Sequence, residues 1–122
     1  MKKILAAILA GLMALSMAAC GAAGSGTGDG SSKVYRVGII QLVTHDALDA
    51  ATKGFQDALT AELGEGSVKF DLQNAAGDSN TCATIVNSFV SNQVDLIMAN
   101  ATPALQAAAA ATADIPILGT SV

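Results

Sequence analysis

Several residue types are scarce in this 122-residue sequence, and their scarcity excludes several classes of protein. There is no tryptophan, and the other aromatic side chains are one tyrosine and three phenylalanines. One histidine and two cysteines are too few for a clustered metal site of the usual ligand sets. Six basic residues against ten acidic ones give a formal net charge of −4, which disfavours nucleic acid as a partner because phosphate binding requires clustered lysine and arginine.

The motifs of common exported or nucleotide-dependent enzymes are also missing. The sequence has no G-x-x-x-x-G-K-[ST] phosphate loop, no G-x-G-x-x-G after its first predicted strand and no G-x-S-x-G. His45 and Asp46 are adjacent, so their side chains need not face each other. We therefore predict no catalytic residue and no cofactor. An exported α/β enzyme or sensory domain stays an alternative that would need a catalytic cluster elsewhere, and an inactive fragment is a third.

The first 19 residues have the pattern of an export signal. A basic start precedes an uncharged apolar run, which is shorter than the roughly 20 residues needed to span a bilayer. The run ends in Met17-Ala18-Ala19-Cys20-Gly21, similar to a bacterial lipobox but with methionine where leucine is usual. We predict a lipoprotein signal peptide at 1–19 and a lipid on Cys20. Cleavage by ordinary signal peptidase after Ala19 would instead leave Cys20 as a plain thiol.

Residues 20–32 predict a flexible tether, because they are rich in glycine and serine and have almost nothing to bury. A lipidated Cys20 followed by such a tether would hold a folded domain outside the bacterial cell membrane. With a signal peptide at 1–19 and a tether at 20–32, the folded part is predicted to be 33–122. Removal of residues 1–19 would leave four basic and ten acidic side chains.

Strand and helix patterns alternate along this folded part. Strands are predicted at 34–40, 68–72, 94–99 and from 117, and helices at 46–63, from 79 to about 91, and at 102–113. Alternation at this spacing predicts an α/β fold with a parallel sheet and helices on both faces, and 68–72 as an edge strand. The fourth strand has no helix after it, so we expect a fragment; a small doubly wound domain ending on an edge strand is the alternative.

The sequence also predicts which residues cap the helices and where Cys82 lies. Asp46, Thr102 and either Asp78 or Ser79 are expected to cap the three helices, with Pro103 in the first helical position. Cys82 belongs to an apolar helical stripe and is expected to be a core residue.

Polar side chains follow each predicted strand. Ligands of parallel α/β sheets bind at the carboxyl ends of the strands, so these side chains form the candidate site. The side chains are mostly uncharged, and with helix amides they suit the carboxylate and ammonium of a small zwitterion. The predicted site residues are Gln41, Thr44, His45, Asn74, Asp78, Asn100, Thr102, Thr120 and Ser121. The alternative for His45 is a solvated or capping loop residue.

The stretches THDALD, GDSNT and ANATPALQA, behind a lipobox and a glycine–serine tether, resemble the substrate-binding lipoproteins of ABC importers. The resemblance runs from about 37 to 122 and is to the group that includes tryptophan- and tyrosine-binding receptors. It implies a type I periplasmic-binding-protein fold, in which two α/β lobes close on a small ligand. Residues 33–122 would be a truncated N-terminal lobe. The partners implied are a small solute, a membrane permease and its ATPase.

The resemblance also implies roles for the candidate residues. The turn from Asn100 to Pro103 matches the position where such receptors hold a ligand carboxylate, with the amides of 102–104 and the Thr102 hydroxyl as donors. Thr120 and Ser121 match the next strand end, and the remaining residues match the first two loops. No aromatic side chain occurs in these four loops to stack on a tryptophan or tyrosine ring. The predicted ligand is an amino acid, with aromatic amino acids among the candidates.

Overall fold

The computed structural model describes residues 32–122. The predicted signal peptide at 1–19, the lipidation of Cys20 and almost all of the predicted linker lie outside the described residues. The elements alternate as predicted: β1 (Tyr35–Gln41), α1 (Asp46–Leu63), β2 (Val68–Asn74), α2 (Ser79–Ser91), β3 (Leu96–Asn100), α3 (Thr102–Ala111) and β4 (Ile117–Thr120).

The four strands form one parallel sheet in the order β2-β1-β3-β4. The predicted edge position of β2 is confirmed, since within residues 32–122 it pairs only with β1. Because the strands are parallel and each connection between consecutive strands contains one helix, the three helices of the described residues begin at the same edge of the sheet, beside the carboxyl ends of β1, β2 and β3. This edge is the one at which the candidate site residues lie.

Helices cover both faces of the sheet, as predicted. Alternate side chains of a strand point to opposite faces. On one face Val37, Ile39 and Met98 pack against Phe55 and Leu59 of α1. On the other face α2 and α3 cover a larger cluster that includes Ile40, Ile97, Ala99, Val86, Phe89, Ala104 and Ala108.

Cys82 is a core residue, as predicted. Its side chain is completely buried in the cluster under α2. Burial, with the nearby Asp78 carboxylate, raises the pKa of the Cys82 thiol, so the thiolate is disfavoured. Its packing rather than its reactivity accounts for its position.

Two of the predicted helix caps are wrong. His45, not Asp46, caps α1: its backbone is extended (φ −159°), so Nδ1 can fold back and accept the Ala47 N–H at 3.2 Å. Asp46 is already helical and lies in the first turn. Thr102 is likewise the first helical residue of α3, after Ala101, which has no side-chain cap to offer, so Pro103 is the second helical residue and not the first as predicted. The third prediction is confirmed, because Asp78 Oδ1 accepts the Asn80 N–H at 2.7 Å.

Strand β3 begins at Leu96, two residues later than predicted, because Asp95 is held at the start of β1. The Asp95 N–H donates to the Arg36 carbonyl at 2.7 Å, and its carboxylate accepts the Arg36 N–H at 2.8 Å. Lys33 approaches the same carboxylate at 3.2 Å. Helix α3 ends at Ala111, two residues early, where the Thr112 hydroxyl accepts the N–H groups of Asp114 and Ile115.

None of the helices between 32 and 122 has the length and apolar character needed to cross a bilayer.

Substituting Gly38 tests the packing of the larger face. A Cβ at Gly38, in the middle of β1, would lie 2.6 Å from Cδ2 of Phe89, whose ring is completely buried. We expect Gly38→Ala to lower the free energy of unfolding by about 1–3 kcal/mol, the usual cost of overpacking a core. Denaturant unfolding measures this change.

The control is Gly54→Ala in α1, where an added Cβ meets nothing within 4 Å. It should raise the free energy of unfolding by about 0.5–1 kcal/mol, because alanine is the better helix former. Equal effects of the two substitutions would contradict the close contact between β1 and Phe89.

The Asp95 contacts predict a pH dependence of stability. Hydrogen bonds from the Arg36 N–H, then from Lys33, lower the pKa of the Asp95 carboxyl. A carboxyl whose pKa is lowered on folding stabilises the native state at neutral pH and stops doing so as it becomes protonated. Asp95→Asn should therefore melt below the wild type at pH 7. The difference should begin to shrink only below about pH 4, the ordinary pKa of an aspartate, and should disappear below the lowered pKa of the folded state. A difference that stays constant into strong acid would contradict this.

Candidate functional site

The last residues of all four strands form one polar row across the sheet. Asn74 pairs in register with Gln41, Gln41 with Asn100, and Asn100 with Thr120. The row lies at the carboxyl edge, so the sheet brings four of the nine predicted site residues together there. Their accessibility differs: Gln41 and Asn100 are buried, Thr120 is half-buried and Asn74 is exposed.

Gln41 is buried under α1, and its amide is fully engaged within the lobe. Its Nε2 donates to the Val43 carbonyl at 2.9 Å and to the Asp49 carboxylate at 2.5 Å. Its Oε1 accepts the Thr52 hydroxyl at 2.7 Å. Two acceptors on one side and a donor on the other fix the orientation of the amide.

Asn100 is completely buried and shares Thr52 with Gln41. Its Nδ2 donates to the Leu48 carbonyl at 2.8 Å and to Thr52 Oγ1 at 3.0 Å. The amide cannot be reversed, because its oxygen would then face the Leu48 carbonyl. Its Oδ1 has no hydrogen-bond partner among the described residues, an arrangement that costs about 1–3 kcal/mol.

Asp49 and Thr52 are the members of this cluster that the sequence analysis missed. We call the four side chains of Gln41, Asp49, Thr52 and Asn100 the Thr52 network. A signal for Thr52 was available, since it follows Leu48 by four residues and precedes Phe55 by three. A hydroxyl therefore interrupts the apolar stripe of α1 at a position that faces the sheet.

Loop residues provide the exposed part of the candidate site. Asn74 Nδ2 donates to Thr44 Oγ1 at 3.1 Å and so links the loops after β1 and β2. The N–H groups of Ala75 and Gly77 donate to the carbonyls of Gln41 and Leu42, which holds the second loop against the first. The predicted site residues exposed at this edge are Thr44, His45, Asn74, Asp78, Thr102 and Ser121.

The turn between β3 and α3 has an unusual backbone. Ala101 has φ 95° and ψ 155°, a region that is almost restricted to glycine and costs about 1–3 kcal/mol for other residues. Its N–H donates to the Thr120 carbonyl at 2.9 Å, and its carbonyl accepts the Leu105 N–H at 3.1 Å. Strain of this kind persists only where the surroundings enforce it, and it is concentrated at functional sites.

Of the hydrogen-bond donors predicted at this turn, which are the amides of 102–104 and the Thr102 hydroxyl, only those of Thr102 are accessible. Pro103 has no N–H, and Ala104 is completely buried. Thr102 is exposed, and its N–H precedes the first hydrogen bond within α3, so it has no helical acceptor. Its N–H and its hydroxyl are the donors available to an anion at this helix end.

The three helix N-termini at this edge differ in charge. The first turn of α1 contains Asp46 and Asp49, and Asp78 caps α2, so anionic side chains already occupy these positive dipole ends. The first turn of α3 contains no acidic residue, and no side chain caps it. The edge therefore has an uncompensated positive end at α3 and carboxylates at α1 and α2. Such an arrangement can accept a carboxylate at one end and an ammonium at the other.

Metal ligands are not grouped here: residues 32–122 contain no set of three or more His, Cys, Asp or Glu side chains placed to share an ion.

A parallel α/β lobe with polar loops at its carboxyl edge is the arrangement in which proteins of this class bind small ligands. The chain belongs to the ABC transporter substrate-binding protein family, whose family model matches residues 36–122. The family predicted from the sequence is thereby confirmed, and so is the α/β fold with helices on both faces of a parallel sheet.

Relatives of known sequence and structure agree with this assignment. The chain is 42% identical to a tyrosine-binding protein of Clostridioides difficile strain R20291, and the match covers 99% of this chain and 38% of that protein. It is 47% identical to a Clostridium difficile substrate-binding protein with adhesive properties, which was solved in a ligand-free, open form. The two structures superpose with a TM-score of 0.70, and the match covers 73% of this chain and 31% of that one.

A third relative was solved with a ligand. It is an ABC domain from Streptococcus pneumonia in complex with L-Trp, 39% identical, with a TM-score of 0.68 and coverage of 71% of this chain and 30% of that one. The chain thus spans well under half the length of the relatives it matches. This share fits the assignment of the described residues to part of one lobe.

Substituting Ala101 tests the strain of the α3 turn. Glycine adopts the φ and ψ of Ala101 freely, so Ala101→Gly should leave the free energy of unfolding unchanged or raise it by up to about 2 kcal/mol. The control is Ala58→Gly, on the exposed face of α1, which should lower that free energy by about 1 kcal/mol. Denaturant unfolding distinguishes the two, and a loss of stability in both variants would contradict the strained geometry.

Proposed function

We propose that the chain is the solute-binding component of an ABC importer and that it binds a small amino acid-like zwitterion at the carboxyl edge of its sheet. The observation that carries the proposal is the uncompensated N-terminus of α3, where the exposed Thr102 offers an N–H and a hydroxyl. Membership in a family of substrate-binding proteins supports binding rather than chemical conversion, so we propose no enzymatic activity.

The solute that we propose is an aromatic amino acid. One relative is named a tyrosine-binding protein and another was solved with L-Trp. In the described lobe the ligand carboxylate would meet Thr102, with Thr120 and Ser121 beside it at the end of β4. The ammonium would lie towards the carboxylates at the starts of α1 and α2, where Thr44, His45, Asn74 and Asp78 are exposed.

The aromatic ring needs partners that this edge does not offer. Tyr35 lies at the opposite end of β1, and the three phenylalanines of the described residues lie within the core or on helix and strand faces. We therefore propose that ring contacts come from a second lobe, as in a receptor that closes on its ligand. Gln41 and Asn100 are proposed to support the site without contacting the ligand, because their side-chain amides hydrogen-bond to α1.

The proposed setting is the outer side of the bacterial cell membrane. A signal peptide at 1–19 would direct export, and a lipid on Cys20 would anchor the protein. A permease and an ATPase would be its partners.

Replacing Thr102 tests this site. In the protein encoded by the complete reading frame, Thr102→Val removes one hydroxyl donor to the ligand carboxylate and leaves the helix in place. A hydrogen bond to a charged group contributes about 1.5–3 kcal/mol, so the Kd for L-Trp or L-Tyr should rise by roughly 10- to 150-fold. Isothermal titration calorimetry measures the change.

The matched control is Thr84→Val, on the exposed face of α2, where the hydroxyl bonds only the Asn80 carbonyl of its own helix. It should leave the Kd unchanged. An unaltered Kd in Thr102→Val would refute the position of the site, whereas a wild-type protein that binds no amino acid would refute the proposed function itself.

A further inference from the structure

The Thr52 network connects the ends of two strands to the middle of a helix. Thr52 is 3% exposed, and its hydroxyl does two things at once. It donates to Gln41 Oε1 at the end of β1, and it accepts from Asn100 Nδ2 at the end of β3. No other side chain among the described residues bridges both strand ends in this way.

The contacts of Asn100 bear directly on the ligand-binding turn, because Asn100 precedes the strained Ala101. The Asn100 carbonyl accepts the Leu42 N–H at 3.2 Å, and its side chain is held by Leu48 and Thr52. Any rotation that relaxed Ala101 would have to move Asn100 or break the bond from the Ala101 N–H to the Thr120 carbonyl.

The network is not what stability alone would favour. It buries an amide oxygen without a partner among the described residues, which lowers the stability of the lobe. Apolar replacements of buried polar groups are often neutral or stabilising when all partners are replaced together. Buried polar networks do, however, rigidify the segments they connect.

We infer that Thr52 is a positioning residue for ligand binding: its hydroxyl holds Asn100, Asn100 holds the strained Ala101 turn, and the turn presents the Thr102 N–H and hydroxyl to the carboxylate. Thr52 itself does not touch the ligand, since α1 and the strand ends enclose it. This inference rests on the proposed function, and it adds a residue on α1 that determines affinity through the geometry of α3.

The experiment compares Thr52→Val, Thr52→Ser and Thr60→Val in the protein encoded by the complete reading frame. Thr52→Val removes the hydroxyl at nearly constant volume, and Thr52→Ser keeps it. Thr60→Val is the same change two turns further along α1, at a half-buried position remote from the network. Circular dichroism first confirms that each variant is folded at the temperature of the titrations.

Thr52→Val should bind L-Trp or L-Tyr about 3- to 30-fold more weakly than the wild type, the range found for residues that act on a site through others. Thr52→Ser should restore the affinity to within about twofold, and Thr60→Val should leave it unchanged. A merely structural role would lower the melting temperature of Thr52→Val without altering its Kd. That result, or a Thr52→Ser variant as weak as Thr52→Val, would overturn the inference.

A second measurement separates this inference from the proposed function. In the ligand-free protein, the amide NMR resonance of Thr102 should shift or broaden in Thr52→Val and remain at its wild-type position in Thr52→Ser and Thr60→Val. An unperturbed Thr102 resonance in Thr52→Val would overturn the inference even if no amino acid binds. If Thr52→Val does not fold, the same measurements on Thr52→Ala and Thr52→Ser compare a side chain without the hydroxyl with one that keeps it.

Discussion

The common direction of the four strands is the constraint on which the site depends. Parallel neighbours require a crossover after each strand, and each crossover here contains a helix that starts where its strand ends. The positive ends of three helix dipoles are therefore concentrated at one edge of the sheet. Asp46 and Asp78 offset two of them, and only the N-terminus of α3 is left for an external anion.

The strained turn at the start of α3 links folding to this chemistry. A side-chain cap would satisfy the first amides of α3 within the chain and leave less for a ligand. Ala101 provides no such cap, and its unfavourable φ lets the helix begin at Thr102, only one residue after β3 ends at Asn100. The main-chain bond to Thr120 and the buried amide of Asn100 hold this geometry from both sides. The lobe is therefore less stable than it would be with a capped helix and a relaxed turn, but the Thr102 N–H stays accessible.

The fold could be predicted from the sequence because apolar periodicity and helix stop signals act locally. The bounds of α1, the edge position of β2 and the burial of Cys82 all follow from such patterns. The caps by Asp46 and Thr102 could not be predicted by residue type, because capping depends on which residue has extended backbone angles. A positive φ at alanine has no signature in composition.

The sequence predicted that the candidate site residues lie together at the carboxyl edge of the sheet, but it did not predict the directions of their side chains. Gln41 follows Ile39 by two residues, and Asn100 follows Met98 by two, so a period of two places both amides on the face that α1 covers. Their polarity suggested a ligand, whereas their register indicates an internal partner. That partner, Thr52, lies on a different element, and long-range pairs of this kind are not visible in a single sequence.

A crystal structure of the complete protein with L-Trp or L-Tyr would test the central claim most directly. The account predicts a ligand carboxylate oxygen within about 3.2 Å of the Thr102 amide nitrogen or hydroxyl, which is ordinary hydrogen-bond distance. A ligand whose carboxylate is held elsewhere, with Thr102 in contact only with solvent, would contradict it.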